Sequence, residues 1–193
     1  MKLRTQKLLA AMPSDFEAAL VSTEVNRFYF LGFDSGDAGT LLILPDETIF
    51  IIDSRYIEIA TAEVKDATVV LEDKALTQVA EILKKYHVKK LYMENKATIA
   101  YAQKVKDALP CVTIDTTPLL SETIEDIRAI KDASEIASMK HAQAITDACF
   151  THILPFIKPG AREIDVALEM EQFMRKNGAG KLAFSTILVS GKK

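Results

Sequence analysis

The chain has 193 residues, 49% of them hydrophobic and 26% charged, with a formal net charge of −3. That balance is ordinary for a globular protein and excludes a disordered or collagen-like chain. It supplies no global basic field for nucleic acid or anionic lipid, and no stretch approaches the roughly 20 apolar residues of a membrane span.

Near the amino terminus the apolar run 8–12 is too short for the core of a secretory signal. Ala18-Ala19-Leu20-Val21 is a short apolar strand. Gly32, Gly36 and Gly39 then punctuate a loop. Asp34 and Asp37 within it would repel a phosphate, so it is read as a turn needing positive φ that links a helix to a strand. Thr40-Leu41-Leu42-Ile43-Leu44 and Thr48-Ile49-Phe50-Ile51-Ile52 flank Pro45-Asp46-Glu47, a connection short enough to make them an antiparallel hairpin. Further strands are expected at 67–71, 90–93 and 112–114, and helices at 55–64, 79–86 and 101–109 from their apolar spacing. The basic run 84–90 marks a helix-to-strand junction where cations complement the helix dipole. The first part of the chain is therefore an α/β domain, and its hairpin requires a mixed rather than a purely parallel sheet.

From residue 116 the pattern changes. Residues 121–131 form a charged helix with a narrow apolar stripe, as a connector would. Asp132 caps the next helix, with Glu135 three residues on in capping-box position. Ile136, Met139, Ile145, Cys149 and Ile153 follow at helical spacing until Pro155, Pro159 and Gly160 end it. Residues 162–176 make another helix, closed by Asn177-Gly178, and the alternation across 184–191 predicts a buried strand. The expected organisation is a domain over 1–117, a connector helix over 118–132 and the start of a further domain over 133–193. Burying about half a dozen large apolar side chains on its two helices is worth on the order of 10 kcal/mol. Those faces are expected to be covered rather than solvated.

Residues with chemical potential are sparse. His87, His141 and His152 belong to no HxxxH or HExxH pattern and are read as surface or core histidines. Glu169 and Glu171 diverge on a helix, and Asp34, Asp37 and Asp53 lack the spacing of a calcium loop. No GxSxG elbow is present. Cys111 and Cys149, the two cysteines, make no CxxC pair and are expected to be reduced thiols of a cytoplasmic protein.

The order of short motifs carries more. Asn26-Arg27-Phe28-Tyr29-Phe30-Leu31-Gly32-Phe33, then Ala38-Gly39-Thr40, then Asp53-Ser54-Arg55-Tyr56 resembles the amino-terminal domain of the Xaa-Pro peptidases, which include aminopeptidase P, prolidase and the related creatinase. Arg128-Ala129-Ile130-Lys131-Asp132 with Glu135-Ile136 is similar to the family's R-x-I-K-D-x-x-E-I segment. Ala144 to Asp147, Ile157-Lys158-Pro159-Gly160 and the 184–191 segment match its early catalytic-domain landmarks. Ser185 stands where an Asp is common, and Asp34 and Asp37 replace the commoner Thr-Gly-Ser residues.

The resemblance implies a creatinase-type N-terminal domain, with a ribonuclease-H-like mixed sheet flanked by helices, followed by an incomplete α+β pita-bread start. It implies a parent enzyme that binds two divalent metals, manganese or cobalt, and hydrolyses peptide bonds preceding proline in peptide substrates. The metal ligands of that family come later than Lys193, so no catalytic or metal residue is expected in this chain, nor a bound cofactor. By resemblance Phe184 is a substrate-pocket position, while Asn26, Gly32, Gly39, Asp53, Arg55, Tyr56, Arg128 and Lys131 are structural or interface positions. Homodimerisation, or association through the incomplete C-terminal part, is implied, with neither nucleic acid nor membrane as partner. The alternative reading is a non-catalytic dimerisation or interaction module, and a small-ligand-binding α/β domain is a third.

Overall fold

The computed structural model describes residues 2–191 and divides into two compact units, 1–130 and 131–193. In chain order the first contains α1 (Lys2–Ala11), β1 (Ala18–Val21), α2 (Glu24–Leu31), β2 (Thr40–Ile43), β3 (Thr48–Ile52) and α3 (Ile57–Glu63). It continues through β4 (Thr68–Leu71), α4 (Ala75–Lys85), β5 (Lys90–Met93), α5 (Ile99–Ala108), β6 (Thr113–Asp115) and α6 (Leu119–Ala129). One mixed sheet results, in the order β4-β3-β2-β1-β5-β6. The hairpin around Pro45-Asp46-Glu47 pairs Leu41 with Phe50 and Leu42 with Ile49 antiparallel, as its length requires. β1 also pairs antiparallel with β2, whereas β1 with β5, β5 with β6 and β3 with β4 are parallel.

Strand alternation divides the core into two layers. Ala19, Val21, Leu41, Ile43, Phe50, Ile52 and Tyr92 face one side, against Leu8 of α1, Phe30 of α2, Ala60 of α3 and Leu120 and Ile124 of α6. Ala18, Leu20, Leu42, Ile51, Leu91 and Met93 face the other, against Val79 and Leu83 of α4 and Val105 of α5. The central strands are buried on both faces, which explains their unbroken apolar runs. α1 has no counterpart among the sequence expectations; among the described residues it sends only Leu8 into the core as a fully buried apolar residue, with Met12 buried just after its end. α6 packs into this unit through Leu120 and Ile124, both fully buried, so its narrow stripe belongs to the first core.

The second unit is helical. α7 (Ala133–Ile153) starts with the expected capping box: Asp132 Oδ1 accepts from Glu135 N at 2.9 Å and Glu135 Oε2 accepts from Asp132 N at 2.9 Å. A short 3₁₀ turn over Leu154–Phe156 ends it, and α8 (Glu163–Lys176) packs against it through Cys149, Ile153 and Val166. The strand expected across 184–191 does not form. Its backbone has no neighbouring strand among the described residues to complete a ladder. Instead Thr186 Oγ1 donates to Glu171 at 2.9 Å and Ser190 N to Glu163 Oε1 at 2.7 Å, tying the segment to α8. Phe184, Ile187 and Val189 are left 76%, 80% and 72% exposed. No helix among the described residues is long and apolar enough to cross a membrane.

Candidate functional site

The polar groups of the first unit converge beyond the carboxyl ends of β1 and β5. These two parallel strands are neighbours, yet the chain leaves β1 towards β2 on one side and β5 towards β6 on the other. The loops that follow them diverge, and a crevice opens between, the usual location of a ligand site in an open α/β sheet. Glu94, the first residue after β5, is only 1% exposed and fills the bottom of this region. Its Oε2 accepts from Ser22 N at 2.6 Å and Thr23 N at 2.8 Å, and its Oε1 from Thr23 Oγ1 at 2.6 Å and Asn26 Nδ2 at 2.5 Å. Thr23 is the N-cap of α2 but makes no side-chain cap of its own. The buried carboxylate therefore occupies the anion position of that helix, where the helix dipole favours negative charge.

Arg27, 2% exposed, lies beside it. Its guanidinium donates to the carbonyl of Ser22 and, through Nη2, to the Gly36 carbonyl at 2.7 Å, while Nε lacks a partner. Burial pulls this guanidinium below the usual arginine range, and the Glu94 carboxylate works against that shift. Asn26 relays the cluster outwards, because its Oδ1 accepts from Arg128 Nη1 of α6 at 3.0 Å. Asn26 and Arg128, 102 positions apart, are thus brought into one network. Sequence reading picked out those two residues but missed Glu94. The available signal was an acid directly after the apolar run Leu91-Tyr92-Met93, at a strand's carboxyl end.

The remaining motif positions are close by or separate. Gly32 closes α2 with φ 65° and donates its N–H to the Phe28 carbonyl at 2.7 Å, the left-handed cap that favours glycine. Asp53 and Arg55 follow β3 and pair with each other, Arg55 Nη2 to Asp53 Oδ2 at 2.6 Å. That pairing lowers the Asp53 carboxyl below its usual range and raises Arg55. Tyr56 sits edge-on to Phe33 with ring centroids 6.4 Å apart, a packing role. A cleft of about 570 Å³ spans the region, reached by Thr23, Arg27, Gly39, Asp53, Arg55 and Tyr101. Burial raises the Tyr101 hydroxyl above the usual phenol range. Lys131 opens the second unit and is exposed, and Phe184 lies in its exposed final segment.

In the second unit His152 Nε2 and Glu169 Oε1 lie 2.7 Å apart, with the imidazole stacked on Phe173 at 4.2 Å between ring centroids. Cys149 is buried and Cys111 exposed, both as free thiols, and burial raises the Cys149 thiol above its usual range. Among the described residues no three His, Cys, Asp or Glu side chains gather as a metal site would require.

Comparisons with known proteins complete the picture. Residues 4–130 match the creatinase/prolidase N-terminal domain, and residues 137–193 match metallopeptidase family M24. An uncharacterized peptidase of Bacillus subtilis, YqhT, is 34% identical over 91% of this chain and 49% of its own length. The Xaa-Pro dipeptidase of Bacillus anthracis superposes with a TM-score of 0.83 at 34% identity, over 92% of this chain and 50% of its own. The prolidase of Pyrococcus furiosus gives 0.84 at 28% identity, over 96% and 57%. The chain spans about half the length of the curated relatives it matches.

Proposed function

The chain belongs to the Xaa-Pro peptidase family with a creatinase/prolidase N-terminal domain, and on that premise we propose that it is the front portion of a dinuclear-metal enzyme hydrolysing peptide bonds that precede proline. The observation that carries the reading is the succession of two family matches, 4–130 and 137–193, in one chain. Aminopeptidase P and prolidase types both accord with it, with manganese or cobalt as metal and a proline-containing peptide as substrate. In that enzyme a metal pair would lower the pKa of a bound water and polarise the scissile carbonyl. The residues of this chain would build and brace the amino-terminal domain, with Glu94, Asn26 and Arg128 locking α2, β5 and α6 together. Phe184 is proposed as a wall of the substrate pocket.

The 193 residues by themselves are proposed to be inert. Incubated with a Xaa-Pro dipeptide and Mn²⁺, the chain should release no proline above the rate of buffer. Turnover that a chelator abolishes would overturn this.

A second reading, a dimerisation or interaction module in the cytoplasm, is favoured by the apolar side chains left open on the second unit. Met139, Phe150, Ile157, Ile164 and Leu168 are each more than half exposed. Large apolar side chains exposed in this number offer a partner surface to bury. Light scattering of the chain at tens of micromolar should give a mass above that of one copy, and a strictly monomeric species across that range would remove the second reading.

A further inference from the structure

We propose that Gln78 guards the free edge of the sheet: its carboxamide stands in for a neighbouring strand along β4, and without it β4 pairs with β4 of a second copy. The inference rests on the first unit alone and is independent of the peptidase reading.

Among the described residues β4 ends the sheet on one side, paired with β3. Glu72 N donates inward to the Ile52 carbonyl at 2.8 Å, so by the alternation of a strand Thr68 and Val70 also turn their amides towards β3. Ala67, Val69, Leu71 and Asp73 then turn theirs outward, the row that makes an edge strand a template for another chain. Val69 is half-buried and Leu71 51% exposed, so the edge carries apolar side chains as well.

Gln78, in the first turn of α4, closes part of that row. Its Nε2 donates to the Leu71 carbonyl at 2.9 Å, and its Oε1 accepts from Asp73 N at 3.0 Å. A residue of a parallel seventh strand would make the same two bonds, giving its N–H to one carbonyl and its C=O to the amide two positions on. One side chain thus satisfies two outward groups that another backbone would otherwise claim.

Charge selects the partner that the edge fits. Two copies of β4 can pair antiparallel about a two-fold axis only in registers that set outward residues against outward residues. Centred on Val70, Val69 meets Leu71, Ala67 meets Asp73, and Asp66 meets Lys74 of the second copy, opposite charges at both ends. Centred on Val69 instead, Lys65 meets Asp73 but Asp66 meets Glu72, and attraction and repulsion cancel. Centred on Leu71, no opposite charges meet. The favourable register needs the Leu71 carbonyl and the Asp73 N–H, the two groups that Gln78 holds.

The test is amide hydrogen exchange of the ¹⁵N-labelled 193-residue chain, with light scattering at matched concentration. In the wild type, after correction for intrinsic rates, the Asp73 amide should exchange about fivefold more slowly than the Val69 amide, as a hydrogen bond entails. Gln78→Ala places the best helix former in α4, so the unit stays folded, and in dilute solution it should release the Asp73 amide. As that variant is concentrated to the millimolar range, its Val69 and Leu71 amides should become about tenfold more protected, with a mass above that of the wild type. Lys74→Glu added to Gln78→Ala sets like charges at both ends and should disperse the pair. Association through the second unit is common to all three chains and leaves the amides of β4 as they are, so the two readings fail separately. A wild-type Asp73 amide as open as that of Val69 overturns the proposal. So does a Gln78→Ala chain whose Val69 amide stays open at every concentration, or one whose pairing ignores the charge at position 74.

Discussion

Replacing Glu94 by Ala is expected to destabilise the first unit by about 3–5 kcal/mol, the cost of stripping a buried charge of its partner. The carboxylate is 1% exposed and accepts from two backbone amides, two hydroxyls and the Asn26 amide. Its removal leaves the Ser22 and Thr23 amides, just ahead of α2, without that acceptor and takes away the carboxylate charge that offsets the buried Arg27 guanidinium. Arg128→Ala removes one bond, from a half-buried guanidinium to the buried Asn26, and should cost about 1 kcal/mol. Urea titration can separate the two, and the chain offers a convenient probe. It has no tryptophan and five tyrosines, at 29, 56, 86, 92 and 101, all in the first unit. Tyrosine fluorescence therefore follows that unit alone, which avoids treating a two-unit chain as one transition. A Glu94→Ala midpoint within about 1 kcal/mol of wild type would mean that the network is solvated and does not hold α2 to β5.

What the sequence made legible was whatever local spacing controls. The antiparallel pairing of β2 and β3 follows from three residues, Pro45-Asp46-Glu47, too few for any crossover. The capping box at Asp132 and Glu135 is likewise decided within one turn, and it forms as expected. Gly32, Gly36 and Gly39 all adopt positive φ, as a loop between helix and strand demands. Glu94 was not legible, because its partners lie 68 to 72 positions away and its role exists only once β5 lies beside β1. The order of strands was hidden for the same reason: β5 inserts next to β1 across the whole hairpin and β4. The strand expected at 184–191 shows the converse failure. Alternating apolar residues there satisfy the pattern of a strand, yet a strand is a relation between two segments, and Ile187 and Val189 find no second one among the described residues. α1 was missed because, among its described residues, only Leu8 is fully buried, too few to impose a helical stripe.

Gly39→Ala should be the most costly change among the loop glycines, at about 2–6 kcal/mol, because two penalties coincide there. Its φ of 93° lies outside what an L side chain readily adopts, worth about 1–3 kcal/mol. A Cβ would also meet Phe50 Cε2 at 2.6 Å and Ile52 Cδ1 at 2.9 Å. Both are fully buried side chains of the first core layer, so neither can swing aside, and overpacking adds about 1–3 kcal/mol. Gly36 is the control. Its φ is 56° but nothing lies within 4 Å of the added carbon, so Gly36→Ala should cost only the backbone term, about 1–2 kcal/mol. Tyrosine-detected urea midpoints of the two variants, at unchanged slope, should differ by the overpacking contribution. Equal midpoints would show that β3 yields around Gly39. In that case the close approach of the loop to Phe50 would not fix the wall of the cleft that Gly39 lines.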